Sequence, residues 1–394
     1  MVTTDYTLVS PSAVADTGQV DVDDVTYNDT FILTAADIAG LLYSSTETML
    51  ICVLMPIVFI IGVLGNSLTI YVFIRGRGMQ SVTNMLLVNL AIADILFLLV
   101  SVAPKFYSYI SVPVPLVNDY ILLGEVGCKG LTYLSGVTVA VSCVTILILA
   151  VEKYLAIRWY VKFRVYRTTT NVLIVCVVVW LFCLIYMIPD TIFMFTYEVA
   201  LPWPESYTNL TAMPPSFMVC SAEVEDSKFY TIYYPVGQVF FLGMIPALLC
   251  IYLCILMRLL KTERSSKTLT AKASYRAKKQ LIRMLVATTA VFIVCIAPYR
   301  ILAFCIFYKV RISRGVQYYL LNISRTLTYI NSAANPIIYT ALCDRYRQAF
   351  KDTLLACLPK RLYNPADHNT NDVNGVTMTT LSTRRISRCK KADA

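Results

Sequence analysis

The chain has 394 residues, 57% of them hydrophobic and only 15% charged, with a mean hydropathy of +0.64 and a net charge of +10. Soluble domains carry about 25% charged and 45–50% apolar residues. This composition therefore excludes a soluble globular enzyme and, over most of the length, a disordered chain, and it predicts a polytopic helical membrane protein.

Residues 1–46 form an acidic leader with Asp5, Asp16, Asp21, Asp23, Asp24, Asp29 and Asp37 and no Lys or Arg. It lacks the basic start and early apolar core of a signal peptide, so the first apolar segment is expected to act as its own insertion signal. Asn28 opens a glycosylation sequon, Asn28-Asp29-Thr30. Seven apolar stretches follow, at 49–75, 82–110, 126–157, 171–195, 229–260, 280–308 and 316–341. Each is long enough for a hydrocarbon core of about 30 Å. The last is the least hydrophobic and holds Asn322, Arg325, Asn331 and Asn335. Polar groups at that depth are costly and face a bundle interior or a wet cavity.

The loops set the orientation. Arg75 and Arg77, then Arg158, Lys162, Arg164 and Arg167, then the basic run 261–279 and the residues after 341 all fall on one side. Glu198, Glu205, Glu223, Glu225 and Asp226 fall on the other. The positive-inside rule predicts an extracellular N-terminus and a cytoplasmic C-terminus, the parity that seven crossings require. The expected division is a leader at 1–46, a bundle at 47–343, an amphipathic helix on the inner leaflet at 344–358 and a disordered cytoplasmic tail at 359–394. Cys357, at the end of that helix, is a candidate palmitoylation site.

Thirteen cysteines sit mostly alone in apolar runs, with no CxxC pair, and the single histidine, His368, lies in the tail. Zinc, redox and histidine-based catalytic chemistry have no support, and no nucleic-acid partner or enzymatic function is expected.

Motifs occur in every segment: Gly65-Asn66; Leu90-Ala-Ile-Ala-Asp94; Cys128 and Glu152-Lys153-Tyr154; Trp180 and Pro189; Pro246; Phe292 and Cys295-Ile296-Ala297-Pro298; and Asn331-Ser332-Ala-Ala-Asn335-Pro336-Ile-Ile-Tyr339. Over residues 48–357 this pattern resembles the rhodopsin-like (class A) G-protein-coupled receptors. The resemblance implies an all-α fold, a seven-transmembrane helix bundle with a short amphipathic eighth helix, in the plasma membrane. It implies a disulfide between Cys128 and Cys220, both on the oxidising side. Asp94 at mid-membrane needs partners or a cation. The resemblance implies an allosteric sodium site of Asp94, Ser142, Asn331, Ser332 and Asn335; a hydrogen-bonded Asp without an ion is the alternative. Apart from sodium, no metal or cofactor is expected. A second sequon, at Asn209, falls in the long loop 196–228.

The position of an amine receptor's segment-three Asp is Ser135, and that of an opsin's retinal Lys is Tyr329, which disfavours both ligands. A Tyr-rich, acidic outer surface suits a peptide. Within peptide receptors, Thr132-Tyr133-Leu134, Lys279-Gln280, Pro298-Tyr299-Arg300, and Arg325 with Tyr329-Ile330-Asn331-Ser332-Ala333 are similar to thyrotropin-releasing hormone receptors. This implies peptide contacts at Tyr299, Arg325 and Tyr329, with Ser135 and Tyr133 completing the expected binding set. That family's segment-three polar residues fall on Ser135, Gly136 and Ala140 here, so a wider pocket and a larger neuropeptide, amidated or not, are expected.

Switch residues Glu152, Lys153, Tyr154, Phe292, Pro298, Pro336 and Tyr339 imply coupling to a heterotrimeric G protein, which the resemblance favours as the phospholipase C and calcium type. Lys153, Cys254 and Ile296 replace the family's arginine, tyrosine and tryptophan. The alternatives are a peptide-binding decoy with weak coupling and a receptor for a non-peptide small molecule. Thr377, Thr379, Thr380, Ser382 and Thr383 form a phosphorylatable cluster suited to receptor kinases and arrestin.

Overall fold

The computed structural model describes residues 43–76, 79–111, 124–159, 162–163, 165–200, 216–222, 228–265, 269–312 and 314–357. They form eight helices and one hairpin: α1 (Ser45–Arg75), α2 (Val82–Ser111), α3 (Gly124–Arg158), α4 (Thr169–Ile192), β1 (Met194–Ala200), β2 (Ser216–Ala222), α5 (Lys228–Ser265), α6 (Leu269–Phe307), α7 (Arg314–Leu342) and α8 (Asp344–Cys357). Residues 351–394 form a second unit, of which the described part is 351–357, the end of α8.

Helix α1 starts on a capping box. Ser44 Oγ accepts from the Glu47 N–H at 3.3 Å, and the Glu47 carboxylate accepts from the Ser44 N–H at 2.8 Å. A π-helical turn at Leu50–Leu54 lies just before Pro56, which cannot donate to the helix ladder. The cap also reaches α7, because Asn322 Nδ2 donates to Glu47 Oε1 at 3.2 Å.

Among the described residues, six helices, α1 to α6, carry an apolar stretch long enough to cross a membrane. Their burial pattern inverts that of a soluble protein. Ile57, Ile60, Ile61 and Leu64 of α1, and Leu173, Ile174, Val177 and Leu181 of α4, are exposed, while Asn66, Asn84, Asn89 and Asp94 are buried. Apolar groups face outward, where lipid would be, and polar groups face inward. Helix α7, with 29 residues, spans about 43 Å at 1.5 Å per residue. Its length suffices; its Asn residues dilute its apolar content, and Asn322, Asn331 and Asn335 are all buried.

One β-hairpin accompanies the helices. β1 and β2 pair antiparallel with Thr196 opposite Cys220. A disulfide joins Cys220 to Cys128 near the start of α3, with the Cα atoms 5.6 Å apart. The disulfide that the resemblance implies is present, and it pins the hairpin to the start of α3.

Helix α1 approaches α7 through a glycine. A Cβ at Gly65 would lie 2.9 Å from Pro336 Cβ and Cγ, a ring that cannot rotate away. At Gly130 of α3 a Cβ would meet nothing within 4 Å. Gly65→Ala is expected to lower the melting temperature of the detergent-solubilised protein, through overpacking of about 1–3 kcal/mol. Gly130→Ala should hold or raise it, since Ala is favoured over Gly in a helix by about 1 kcal/mol.

Candidate functional site

A cavity of about 250 Å³ opens among α2 to α7. Thr132, Ser135, Gly136 and Val139 supply its α3 wall. Their spacing of three, four and seven residues is that of one helical face. Gly136 admits the α4 side chain opposite: a Cβ there would sit 3.1 Å from Met187 Sδ. Helix α7 contributes Arg325, Thr328 and Tyr329, α6 contributes Ile296, Tyr299 and Arg300, and Met194 of β1 joins the wall. Four of the expected contact residues, Ser135, Tyr299, Arg325 and Tyr329, therefore share one cavity. Ser135 Oγ is 3.0 Å from Ser101 Oγ, and the Tyr329 ring centroid is 5.8 Å from that of Phe97.

Tyr133 corrects the expected set. It lies one residue, about 100° of helix, from the wall position Thr132. Its hydroxyl donates to the Leu184 carbonyl of α4 at 2.8 Å, and its ring packs against the α3–α4–α5 core. Ala140 is also in that core rather than on the cavity wall.

Lining residues that the sequence did not assign to the site include Asp190, Gln238 and Arg300. Helix α4 breaks at Met187 ahead of Pro189, and Asp190 follows in the last turn. Tyr233 shares its hydroxyl proton between the Tyr186 carbonyl at 2.7 Å and Asp190 Oδ2 at 3.2 Å. Gly237 leaves room for the Tyr186 hydroxyl, which a Cβ there would collide with. The Arg300 guanidinium stacks 4.1 Å from the Phe241 ring centroid. The available signal was an Asp inside a predicted span, a costly placement that marks function.

Below the cavity lies a polar core around Asp94. Asn335 Nδ2 donates to it at 2.7 Å, Ser332 Oγ at 3.0 Å and Ser142 Oγ at 3.4 Å. Asn66 Nδ2 donates to the carbonyls of Gly62 at 2.8 Å and Ser332 at 2.9 Å, while its buried Oδ1 has no partner among the described residues. Asn331, Ser142, Ser332, Phe292 and Ile296 border a void of about 10 Å³, about the size of one water probe. Tyr339 is buried, with no hydrogen-bond partner for its hydroxyl among the described residues. The whole sequence-derived Asp94 set thus converges on one place. Pro298 and Pro336 lie inside α6 and α7.

At the opposite end from the hairpin, Glu152 binds two cations. Lys153 Nζ lies 2.8 Å from Glu152 Oε2, and Arg167 Nε lies 2.6 Å from Glu152 Oε1. Thr83 of α2 closes the cluster, accepting from Lys153 Nζ and, at 3.1 Å, from Arg167 Nη2. Glu152 and Lys153 are each 5% exposed. Tyr154 instead packs beside Ile255 and Ile282, 6.4 Å from the Trp159 ring. Arg167 was read from the sequence only as an orientation charge. Tyr252, two residues from the altered position Cys254, bonds α5 to α6 by accepting from Thr289 Oγ1 at 3.1 Å.

Asn28, Asn209 and the tail cluster lie outside the described residues, as does the side chain of Cys357, the last residue of α8. The sequence model for the 7 transmembrane receptor (rhodopsin family) matches residues 65–339. The chain belongs to the rhodopsin family of seven-transmembrane receptors. The match runs into α7, so the helix too polar to stand out by hydropathy is the seventh span of this multi-pass membrane receptor. A rhodopsin-family receptor is not an enzyme. Among similar proteins, the rat (Rattus norvegicus) galanin receptor type 2 is 26% identical over 320 residues, 80% of this chain and 79% of the relative. The Bombyx mori allatostatin-A receptor is 28% identical over 330 residues, 82% of each chain. The mouse (Mus musculus) somatostatin receptor type 2 is 27% identical over 325 residues, 81% of this chain and 80% of the relative.

Proposed function

We propose that this rhodopsin-family receptor binds an extracellular peptide in the α2–α7 cavity and passes the signal to a heterotrimeric G protein. The supporting observation is a cavity of about 250 Å³ that combines a tyrosine-rich wall with Arg325, Arg300 and Asp190. Such a wall offers directional donors and acceptors for a peptide backbone and its end groups. Relatives named as galanin, allatostatin-A and somatostatin receptors favour the same ligand class. The thyrotropin-releasing hormone receptor resemblance supports Arg325, Tyr299 and Tyr329 as contacts and the phospholipase C type of G protein. Ser135, small and on the α3 wall, argues for a ligand larger than a tripeptide; Gly136 adds no room, because Met187 fills the space beside it.

The test is calcium release and cyclic AMP in cells expressing the chain, against a peptide library. Arg325→Ala should reduce potency for the active peptide at least tenfold at unchanged surface expression, since hydrogen bonds to a charged donor contribute about 1.5–3 kcal/mol. Unchanged potency would remove Arg325 from the contact set. Peptide binding without any G-protein response would favour the decoy reading, which the substitution of Lys153 for arginine motivates.

The Asp94 cluster also fits sodium. Ser142, Asn331 and Ser332 bring hard oxygen ligands to a void of about 10 Å³, and the Asp94 carboxylate, bonded to Ser142 and Ser332, and the Asn335 amide lie directly behind them. A bound cation would neutralise the buried carboxylate and favour the conformation that encloses it. Replacing sodium by N-methylglucamine should then raise agonist affinity in the wild type and leave Asp94→Asn unaffected, measured by radioligand competition. Equal sodium sensitivity in both proteins would reject the site.

A further inference from the structure

Two opposite charges line the cavity without meeting. Asp190 of α4 accepts a hydrogen bond from Tyr233 at 3.2 Å, and Arg300 of α6 stacks on Phe241 at 4.1 Å. Among the described residues neither makes an ion pair within 4.0 Å, yet the two are close enough to interact electrostatically. In the same cavity, among the described residues, the buried Gln238 has an Oε1 without a hydrogen-bond partner, and the Nε of Arg300 is likewise unsatisfied. Buried polar groups left in this state are costly unless something completes them.

The pairing restricts what can bind between them. A ligand cation drawn to Asp190 also meets Arg300, and a ligand anion drawn to Arg300 also meets Asp190. In a partly desolvated cavity such like-charge contacts are strongly unfavourable. A neutral planar group carrying an acceptor and two donors avoids both repulsions and satisfies all three side chains.

We propose that Asp190, Arg300 and Gln238 form a subsite for a primary carboxamide of the ligand. Its C=O accepts from the Arg300 guanidinium, one N–H donates to the Asp190 carboxylate, and the other donates to Gln238 Oε1. Tyr186 and Phe241 flank the group with aromatic surface. This deepens the peptide reading and rests on it: a C-terminal amide or an Asn or Gln side chain is the peptide's source of such a group.

Three fragments of nearly identical shape test it on the purified receptor in lipid nanodiscs: benzamide, benzoate and benzamidinium. Saturation-transfer NMR titration should rank benzamide first by about tenfold or more. Asp190→Asn should shift the ranking toward benzoate, and Arg300→Gln toward benzamidinium. A general loss of structure would weaken all three alike rather than reorder them. Wild-type preference for benzamidinium would mean that Asp190 reads a cation, and preference for benzoate that Arg300 reads an anion; either overturns the proposal, as do equal or undetectable binding of all three. The two readings fail separately. If benzamide ranks first but no library peptide binds, the subsite stands and the peptide reading falls. If peptides respond but benzamide holds no advantage, only the subsite falls.

Discussion

Cys220→Ser is expected to abolish ligand binding at the cell surface and to lower the melting temperature of whatever protein is recovered. The Cys128–Cys220 bond closes a segment with a sequence separation of 92 residues. In the chain-entropy account, a cross-link over about a hundred residues stabilises by about 4–5 kcal/mol, comparable to a whole domain's net stability. The local structure adds to this. Both cysteines are buried together with Met194, and Met194 is part of the cavity wall. Losing the bond frees the hairpin and with it one side of the cavity. The pair acts as a unit, so Cys128→Ser with Cys220→Ser should cost no more than either alone. Cys52→Ser, at an exposed and unpaired thiol of α1, should be neutral. Surface radioligand binding and a thermal-stability assay measure both. Additive losses in the double variant would show that the cysteines contribute separately.

The spans were legible because hydropathy reports hydrocarbon thickness directly. The expected 82–110 is α2 at Val82–Ser111, and the expected 126–157 is α3 at Gly124–Arg158. The method stops where lipid stops. Helix α6 begins at Leu269, eleven residues before the apolar stretch expected from 280, because its first turns are basic and leave the membrane. The hairpin was not legible, since its register depends on pairing across the intervening loop and on a disulfide to α3. Asp94 was legible as an acid in an apolar run, and the family resemblance selected its partners from the many polar residues of the neighbouring spans. The cavity was partly so. The i, i+3, i+4, i+7 face Thr132, Ser135, Gly136 and Val139 separates Tyr133 from the wall by periodicity alone. Asp190 carried the signal of an acid at membrane depth. Arg167 carried none: a basic residue in a loop between spans looks like any other orientation charge until the fold brings it to Glu152.

That contact changes what the altered Glu152-Lys153-Tyr154 motif does. A lysine is a point charge and lacks the planar fork with which arginine engages a carboxylate. Here Lys153 holds one Glu152 oxygen and Arg167, from the loop after α3, brings a guanidinium to the other. Thr83 ties both cations to α2. Glu152→Gln is therefore expected to raise ligand-independent G-protein activation by tenfold or more, read as GTPγS binding in membranes at matched receptor density. Removing one partner of a buried ion pair costs about 3–5 kcal/mol, because the remaining charge is left uncompensated. That penalty falls on the conformation that buries Lys153, and each 1.4 kcal/mol of it shifts the population tenfold toward any conformation that exposes the lysine. Arg167→Ala should do less, a rise of a few fold, since its side chain is 35% exposed and solvent screens its pairing. If Glu152→Gln leaves the receptor as quiet as the wild type while lowering its stability, the cluster is a structural clamp on α2, α3 and the following loop, and the restraint on signalling lies instead at the α5–α6 bond between Tyr252 and Thr289.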